Sequence, residues 1–205
     1  MASKVANCDG LILLIERIDC RLDRSIRFAR PTAQTYTAAM EIIIRDVTVH
    51  DLDAVLSLNQ SEVPHVGSVD IERMHWFATN AHYFRVAIKD ERIAAYLIGL
   101  RPGTSYASPN YLWFCDRYSD FAYVDRVAVA TFGRRLGLAS RLYDDFAASV
   151  PDIVEVMTCE VNLRPPNESS MRFHRQLGFH QVGSQATEGG SKEVAMLAKQ
   201  LRNES

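Results

Sequence analysis

The sequence predicts an α/β domain built on one mixed sheet with helices on both faces. From Met40 onward the apolar periodicity switches repeatedly between two residues and about 3.6. The segments fall in the order β-α-α-β-β-β-α-β-α-β-β. The chain has 205 residues, 47% of them hydrophobic and 23% charged, which supplies one core of ordinary globular composition.

"EIIIRDV" (41–47) reads as the first strand. "HDLDAVLSLNQSEV" (50–63) places Leu52, Val55, Leu56 and Val63 on one helical face. "SVDIERMHWFATNA" (68–81) opens with a Ser cap and sets Ile71, Met74 and Phe77 at helical spacing. "YFRVAIKD" and "RIAAYLIGLR" are strands joined as a hairpin through "KDER". Residues 102–120 read as a long aromatic loop, and "FAYVDRVAVA" (121–130) as a strand. "RRLGLASRLYDDFAASV" (134–150) is an amphipathic helix with Leu138, Leu142 and Phe146 at i, i+4 and i+8. "IVEVMTCEV" (153–161) is a strand, "NLRPPN" a turn, and "ESSMRFHRQLG" (168–178) a helix that stops at Gly178. "FHQVGSQ" and "KEVAMLAKQL" close the pattern as strands around "ATEGGS".

Residues 1–39 stand apart, arginine-rich and then small and polar. Two readings stay open for them: a poorly anchored extension, as from an upstream start codon, or an amphipathic helix over 11–28 packed on the domain or a partner. The formal net charge of −2 points to neither nucleic acid nor a membrane surface. No apolar run reaches the ~18 residues that span a bilayer, and the N-terminal flank lacks the pattern of a signal peptide. A cytoplasmic location follows as the expectation. Cys8, Cys20, Cys115 and Cys159 are widely spaced with no CxxC pair, and are expected to be free thiols. The six histidines show no metal-ligand spacing, so no metal is expected.

The segment most suggestive of chemistry is "VAVATFGRRLGLASRL" (127–142). It is a strand, a short turn and the start of a helix. The first N–H groups of a helix have no internal partner and, with the dipole, favour an anion. Gly137 lets a phosphate approach the backbone, and Arg134 and Arg135 offer charge-assisted hydrogen bonds.

This stretch resembles the acyl-CoA signature of the GNAT acetyltransferases, V-x-x-x-x-[R/Q]-x-x-G-x-[G/A], at Val129, Arg134, Gly137 and Ala139. "NESSMRFHRQLGF" (167–179) is similar to a second family segment, N-x-x-[A/S]-x-x-x-Y-x-x-x-G-F, at Asn167, Ser170, Gly178 and Phe179. His174 stands where the family usually has Tyr, as it does in phosphinothricin-type members. The resemblance covers about residues 41–200. It implies the GNAT fold, a mixed and mostly antiparallel sheet, with acetyl-CoA as co-substrate.

By that resemblance, the pantetheine arm lies between the strands 121–130 and 153–161, bonded by the backbone of Val127 and Val129. The Val127 N–H is also placed to polarise the thioester carbonyl. Amides of Arg134, Arg135, Gly137, Leu138 and Ala139 cradle the pyrophosphate. Asn167 contacts the cofactor, or is simply a helix cap. A neutral amine attacks the thioester directly, leaving two proton transfers to catalyse. Period two along 121–130 puts Tyr123, Asp125, Val127 and Val129 on one face, which makes Asp125 the first candidate base. Its alternative is a salt bridge to an arginine. Glu160 on the facing strand is the rival base. His174 is the candidate acid, or a packing residue.

The resemblance puts the acceptor groove at "SEVPHVGS" (61–68) and "SPNYLWFCDRYSDF" (108–121). Tyr111, Trp113 and Phe114 either wall an enclosed pocket or anchor the loop on the core. Glu62, Asp125 and Glu160 can hold a cationic amine. The expected activity is acetyl transfer to a primary amine of a small molecule. Protein N-terminal or lysine acetylation and CoA binding without turnover remain alternatives. Dimers are common in the family, which leaves room for a homodimer.

Overall fold

Each strand of the computed structural model, which describes residues 41–202, is a run of apolar or alternating residues bounded by a turn. The expectation for residues 1–39 lies outside the described residues. The strands are β1 (Ile43–Asp46), β2 (Tyr83–Lys89), β3 (Arg92–Leu100), β4 (Ala122–Val129), β5 (Val156–Arg164), β6 (His180–Thr187) and β7 (Lys192–Gln200). They form one sheet in the order β1-β2-β3-β4-β5-β7-β6. Only β4 and β5 run parallel; every other pair among the described strands is antiparallel. The β2–β3 hairpin turns on Asp90 and Glu91, both at positive φ (50° and 59°), the backbone hand that matches strand twist.

The helices are α1 (Leu52–Ser61), α2 (Ile71–Asn80), α3 (Pro109–Cys115), α4 (Leu138–Ser149) and α5 (Glu168–Gln176). One core joins Leu52 and Val55 of α1, Met74 and Phe77 of α2, and Tyr111 and Phe114 of α3 to one face of the sheet. A second core joins Leu138, Leu142, Tyr143 and Phe146 of α4 to the other face, with Met171 and Phe173 of α5 packed against it. The apolar spacing read from the sequence therefore accounts for the α4 stripe. The cap of α2 differs from expectation: Asp70, not Ser68, accepts the Arg73 N–H at 2.8 Å.

The segment expected as an aromatic loop contains α3. Pro109 stands in its first turn, where no N–H is needed. Trp113 lies so close to β6 that a Cβ at Gly183 would come within 2.5 Å of its ring. Gly99 has the same relation to α4, since a Cβ there would meet the Phe146 ring at 2.4–2.7 Å. Gly99→Ala is expected to destabilise the fold by about 1–3 kcal/mol through overpacking, read as a lower midpoint in denaturant with an unchanged slope.

Two features of β4 make the site. Its ladder to β5 has three pairs, Ala122↔Met157, Tyr123↔Thr158 and Val124↔Cys159, although both strands continue beyond them. Its register to β3 also shifts: Ile98 pairs with Arg126 and Gly99 with Val124. Asp125 is the extra residue of a bulge. Side-chain parity inverts across it. Tyr123 and Ala128 belong to the α1–α3 core, while Val124 belongs with Val127 and Val129 to the α4 core. The expectation that Asp125 shares a face with Val127 and Val129 is thus corrected; one inserted residue breaks the period-two rule.

Candidate active site

Where β4 and β5 part, a cleft of about 690 Å³ opens. Val127, Val129, Arg134, Arg135, Ala139, Asn167 and His174 line one end, and Glu62, Asn110, Asp125 and Glu160 line the other. The first end belongs to the α4 side of the sheet, the second to the α1–α3 side. The gap between the strands joins them.

At the first end, α4 begins at Leu138 rather than near Arg135. Arg134 is extended, and Arg135 and Gly137 are left-handed at φ 65° and 69°. Leu136 between them is not, so the backbone hand alternates along the turn, the pattern from which anion-binding nests are built. The helix has no side-chain cap, because its N-cap residue is Gly137. A Cβ on Gly137 would meet nothing within 4 Å, so the backbone is open to an incoming group. An uncapped helix start, two arginines and a pair of strands released from their ladder fit a pyrophosphate with a pantetheine arm. The Leu138 side chain is buried in the α4 core, leaving only its amide for such a group. Asn167 is a cap, accepting the Ser170 N–H at 3.1 Å, and it also lines the cleft.

At the second end, two carboxylates sit in contrasting surroundings. Asp125 is bound to Arg126 (Nε–Oδ2, 2.7 Å), with its side chain 3% exposed. Arg126 also donates to Asn59 Oδ1 at 3.1 Å and the Gly67 carbonyl at 3.2 Å, which ties the bulge to the α1–α2 turn. Glu160 is held by neutral donors. It accepts from the Tyr123 hydroxyl at 2.8 Å and from Asn110 Nδ2 at 3.0 Å. Gln185 Nε2 holds Asn110 in that orientation by donating to its Oδ1 at 2.9 Å. Burial, reinforced by the Asp125 charge, pushes the Glu160 carboxyl up to about 7 against the pull of those hydrogen bonds.

Glu62 reaches across the cleft mouth to Arg134, Oε1 to Nη2 at 2.7 Å. The structure does not bring the three aromatics of 111–114 to the cleft. Tyr111 and Phe114 are fully buried against Phe121 and Tyr123, and Trp113 packs on Gly183 under Arg117. From that helix only Asn110 lines the site.

His174 is buried at the first end. Its Nδ1 lies 2.8 Å from the Ser170 carbonyl and its Nε2 lies 2.7 Å from the Tyr143 hydroxyl. Burial lowers its pKa below the usual 6.5. Tyr143 lines the cleft as well. Sequence reasoning missed Asn110 and Tyr143, and gave Tyr123 and Arg126 no role beside the two carboxylates. For Tyr143 a signal existed: it lies one helical turn beyond Ala139, on the face that carries the small residue. Among the described residues, no cluster of three or more His, Cys, Asp or Glu side chains could hold a metal ion.

Residues 52–179 match the Acetyltransferase (GNAT) family. The chain belongs to that family. It is therefore an N-acetyltransferase, with acetyl-CoA as the family's donor. No curated protein matches its sequence. Solved structures share the fold at low identity. Ard1 from Thermoplasma volcanium is 16% identical with a TM-score of 0.63, over 79% of this chain and 99% of that one. A putative phosphinothricin N-acetyltransferase is 20% identical at 0.58, over 80% and 100%. Chaetomium thermophilum Naa20, solved with a bisubstrate analogue, is 19% identical at 0.62, over 77% and 86%. No helix of the described residues is long and apolar enough to cross a membrane.

Proposed function

We propose that this acetyltransferase transfers the acetyl group of acetyl-CoA to a primary amine of a small molecule by direct attack, with Glu160 as general base. The observation that carries the reading is the pair of unlike carboxylates at the parting of β4 and β5. Asp125 is neutralised by Arg126. Glu160 is bonded to a hydroxyl and an amide instead, and is poised near neutrality. A base must change protonation near the working pH to be useful.

The donor enters from the α4 side, its pyrophosphate on the amides of 134–139 and its arm along Val127 and Val129. The amine comes from the α1–α3 side, past Glu62 and Asp125 to the Glu160 carboxyl. The nitrogen loses its proton to Glu160, and proximity in the narrow gap does much of the remaining work. Because Tyr111, Trp113 and Phe114 are committed to the core, specificity falls instead to Asn110, Glu62 and the turn through Gly67. The reading places the protein in the cytoplasm, with Cys115 and Cys159 as free thiols.

The test is thiol release from acetyl-CoA across a panel of small primary amines, peptide α-amines and lysine peptides, with products weighed by mass spectrometry. Turnover of small amines above peptides is expected. Turnover of peptides alone overturns the small-molecule assignment, and CoA binding without release for any amine overturns catalysis.

A further inference from the structure

Acetyl transfer needs more than a base. When the C–S bond breaks, its electron pair stays on sulfur, and a thiolate forming in a buried gap requires a hydrogen-bond donor. The tautomer of His174 decides whether it is that donor. Its Nδ1 is 2.8 Å from the Ser170 carbonyl, an acceptor only, so the ring proton lies on Nδ1. Nε2 of the neutral ring is then an acceptor, and the Tyr143 hydroxyl donates to it at 2.7 Å. The imidazole has no proton to offer the cleft. The hydroxyl beside it does.

Tyr143 is well placed for this. It reaches the cleft from the second turn of α4, below the anion seat at the start of the same helix. Cys159, the last β5 residue paired to β4, and Glu160 are both near enough to act electrostatically on its phenol. The neutral surroundings are aromatic: Phe173, His174 and Phe179 meet its ring edge to face. Burial, with those two β5 groups, holds the phenol well above its ordinary pKa, so the O–H persists through the working range.

We propose that the Tyr143 hydroxyl is the hydrogen-bond donor to the sulfur of the departing thiol, and that His174, anchored by Ser170, is the positioning residue that aims it. The proposal rests on the acetyl-transfer reading. In the step itself the N–C bond forms and the C–S bond breaks. The nitrogen's proton goes to Glu160, and the sulfur leaves as a thiolate held by the Tyr143 hydroxyl, which turns to it from His174 Nε2.

The test needs no known acceptor. The full-length protein is saturated with CoA and titrated, and the thiolate is followed by its ultraviolet absorbance against a desulfo-CoA complex as blank. The bound thiol is expected to ionise below free CoA. Tyr143→Phe, which keeps the ring contacts, is expected to raise that value by roughly one unit while affinity for CoA with its thiol protonated stays unchanged. His174→Ala is expected to raise it partway, and His174→Gln, which retains an acceptor, to restore it. A thiol that titrates identically in wild type and Tyr143→Phe, with both folded and equal in affinity for the protonated thiol, overturns the proposal. Failure of the wild type to bind CoA overturns the donor site beneath it, and is read separately by the affinity measurement.

Discussion

Replacing Glu160 by Gln is expected to lower kcat by about 100- to 10,000-fold while leaving acetyl-CoA affinity intact. Gln has the same shape, and it can keep both local hydrogen bonds. Its carbonyl oxygen accepts from Asn110 Nδ2, and its amide donates to the Tyr123 hydroxyl, which is itself able to accept. What it loses is the capacity to take a proton. The pH profile sharpens the expectation. The wild-type carboxyl titrates at about 7, so kcat/KM should rise with pH through that value and level off above it. In the Glu160→Gln variant that limb should vanish.

Stability should move in the opposite direction. A carboxyl raised from its usual 4.5 to about 7 binds its proton more tightly in the folded state than in the unfolded one. Its contribution to stability is greatest below 4.5 and is lost as pH climbs through about 7. A neutral amide escapes that loss, so the thermal midpoint of Glu160→Gln relative to wild type should improve across this window. Asp125→Asn gives the contrast. It strands the buried Arg126 charge, so its loss of activity should come with a loss of several kcal/mol in stability. A Glu160→Gln variant with wild-type rate and pH profile would remove Glu160 as base.

The helices and strands were legible because their burial follows simple periods. Leu138, Leu142 and Phe146 are all buried on one stripe of α4, as the spacing requires. The donor half of the proposed site could be read from the sequence for a related reason: an anion seat would be made of backbone and short-range geometry, so its candidates Arg134, Gly137 and Ala139 lie within one short stretch. The acceptor half depends on tertiary events. A single bulge at Asp125 inverts the parity of β4, and nothing in a repeat of about 3.3 Å per residue announces it. The Asp-Arg pair inside an otherwise apolar strand was the one local sign of conflict. The aromatics of 108–121 misled because aromatic composition is equally consistent with a pocket wall and with anchoring. Their burial is decided by α3 lying on the sheet, which is a packing outcome. Glu160 could be named from its strand, but its selection over Asp125 needed the sight of Arg126 beside one carboxylate and not the other.

Arg134→Ala combined with Gly137→Glu is expected to abolish measurable acetyl-CoA binding while the fold persists, and the two changes act through different physics. Arg134 supplies a charged donor. Two charge-assisted hydrogen bonds at roughly 1.5–3 kcal/mol each convert to at least about a 100-fold loss in affinity. Arg134→Ala alone is ambiguous, because it also releases Glu62 from their 2.7 Å salt bridge and leaves a free carboxylate at the cleft mouth. The glycine change removes that ambiguity. At φ 69° a glutamate is strained by about 1–2 kcal/mol, a cost the fold can carry because its Cβ meets nothing within 4 Å. The same open space is where a phosphate must approach the amides, and a negative side chain there excludes it by bulk and by charge. Gly137→Ala separates the terms: it brings the strain and a methyl group without the charge, and should weaken binding less. Calorimetry on the double variant and on Arg134→Ala, Gly137→Glu and Gly137→Ala singly, with melting curves as the control, therefore distinguishes an anion seat from an ordinary helix start. If Gly137→Glu binds acetyl-CoA like wild type, the turn at 134–139 is only the beginning of α4.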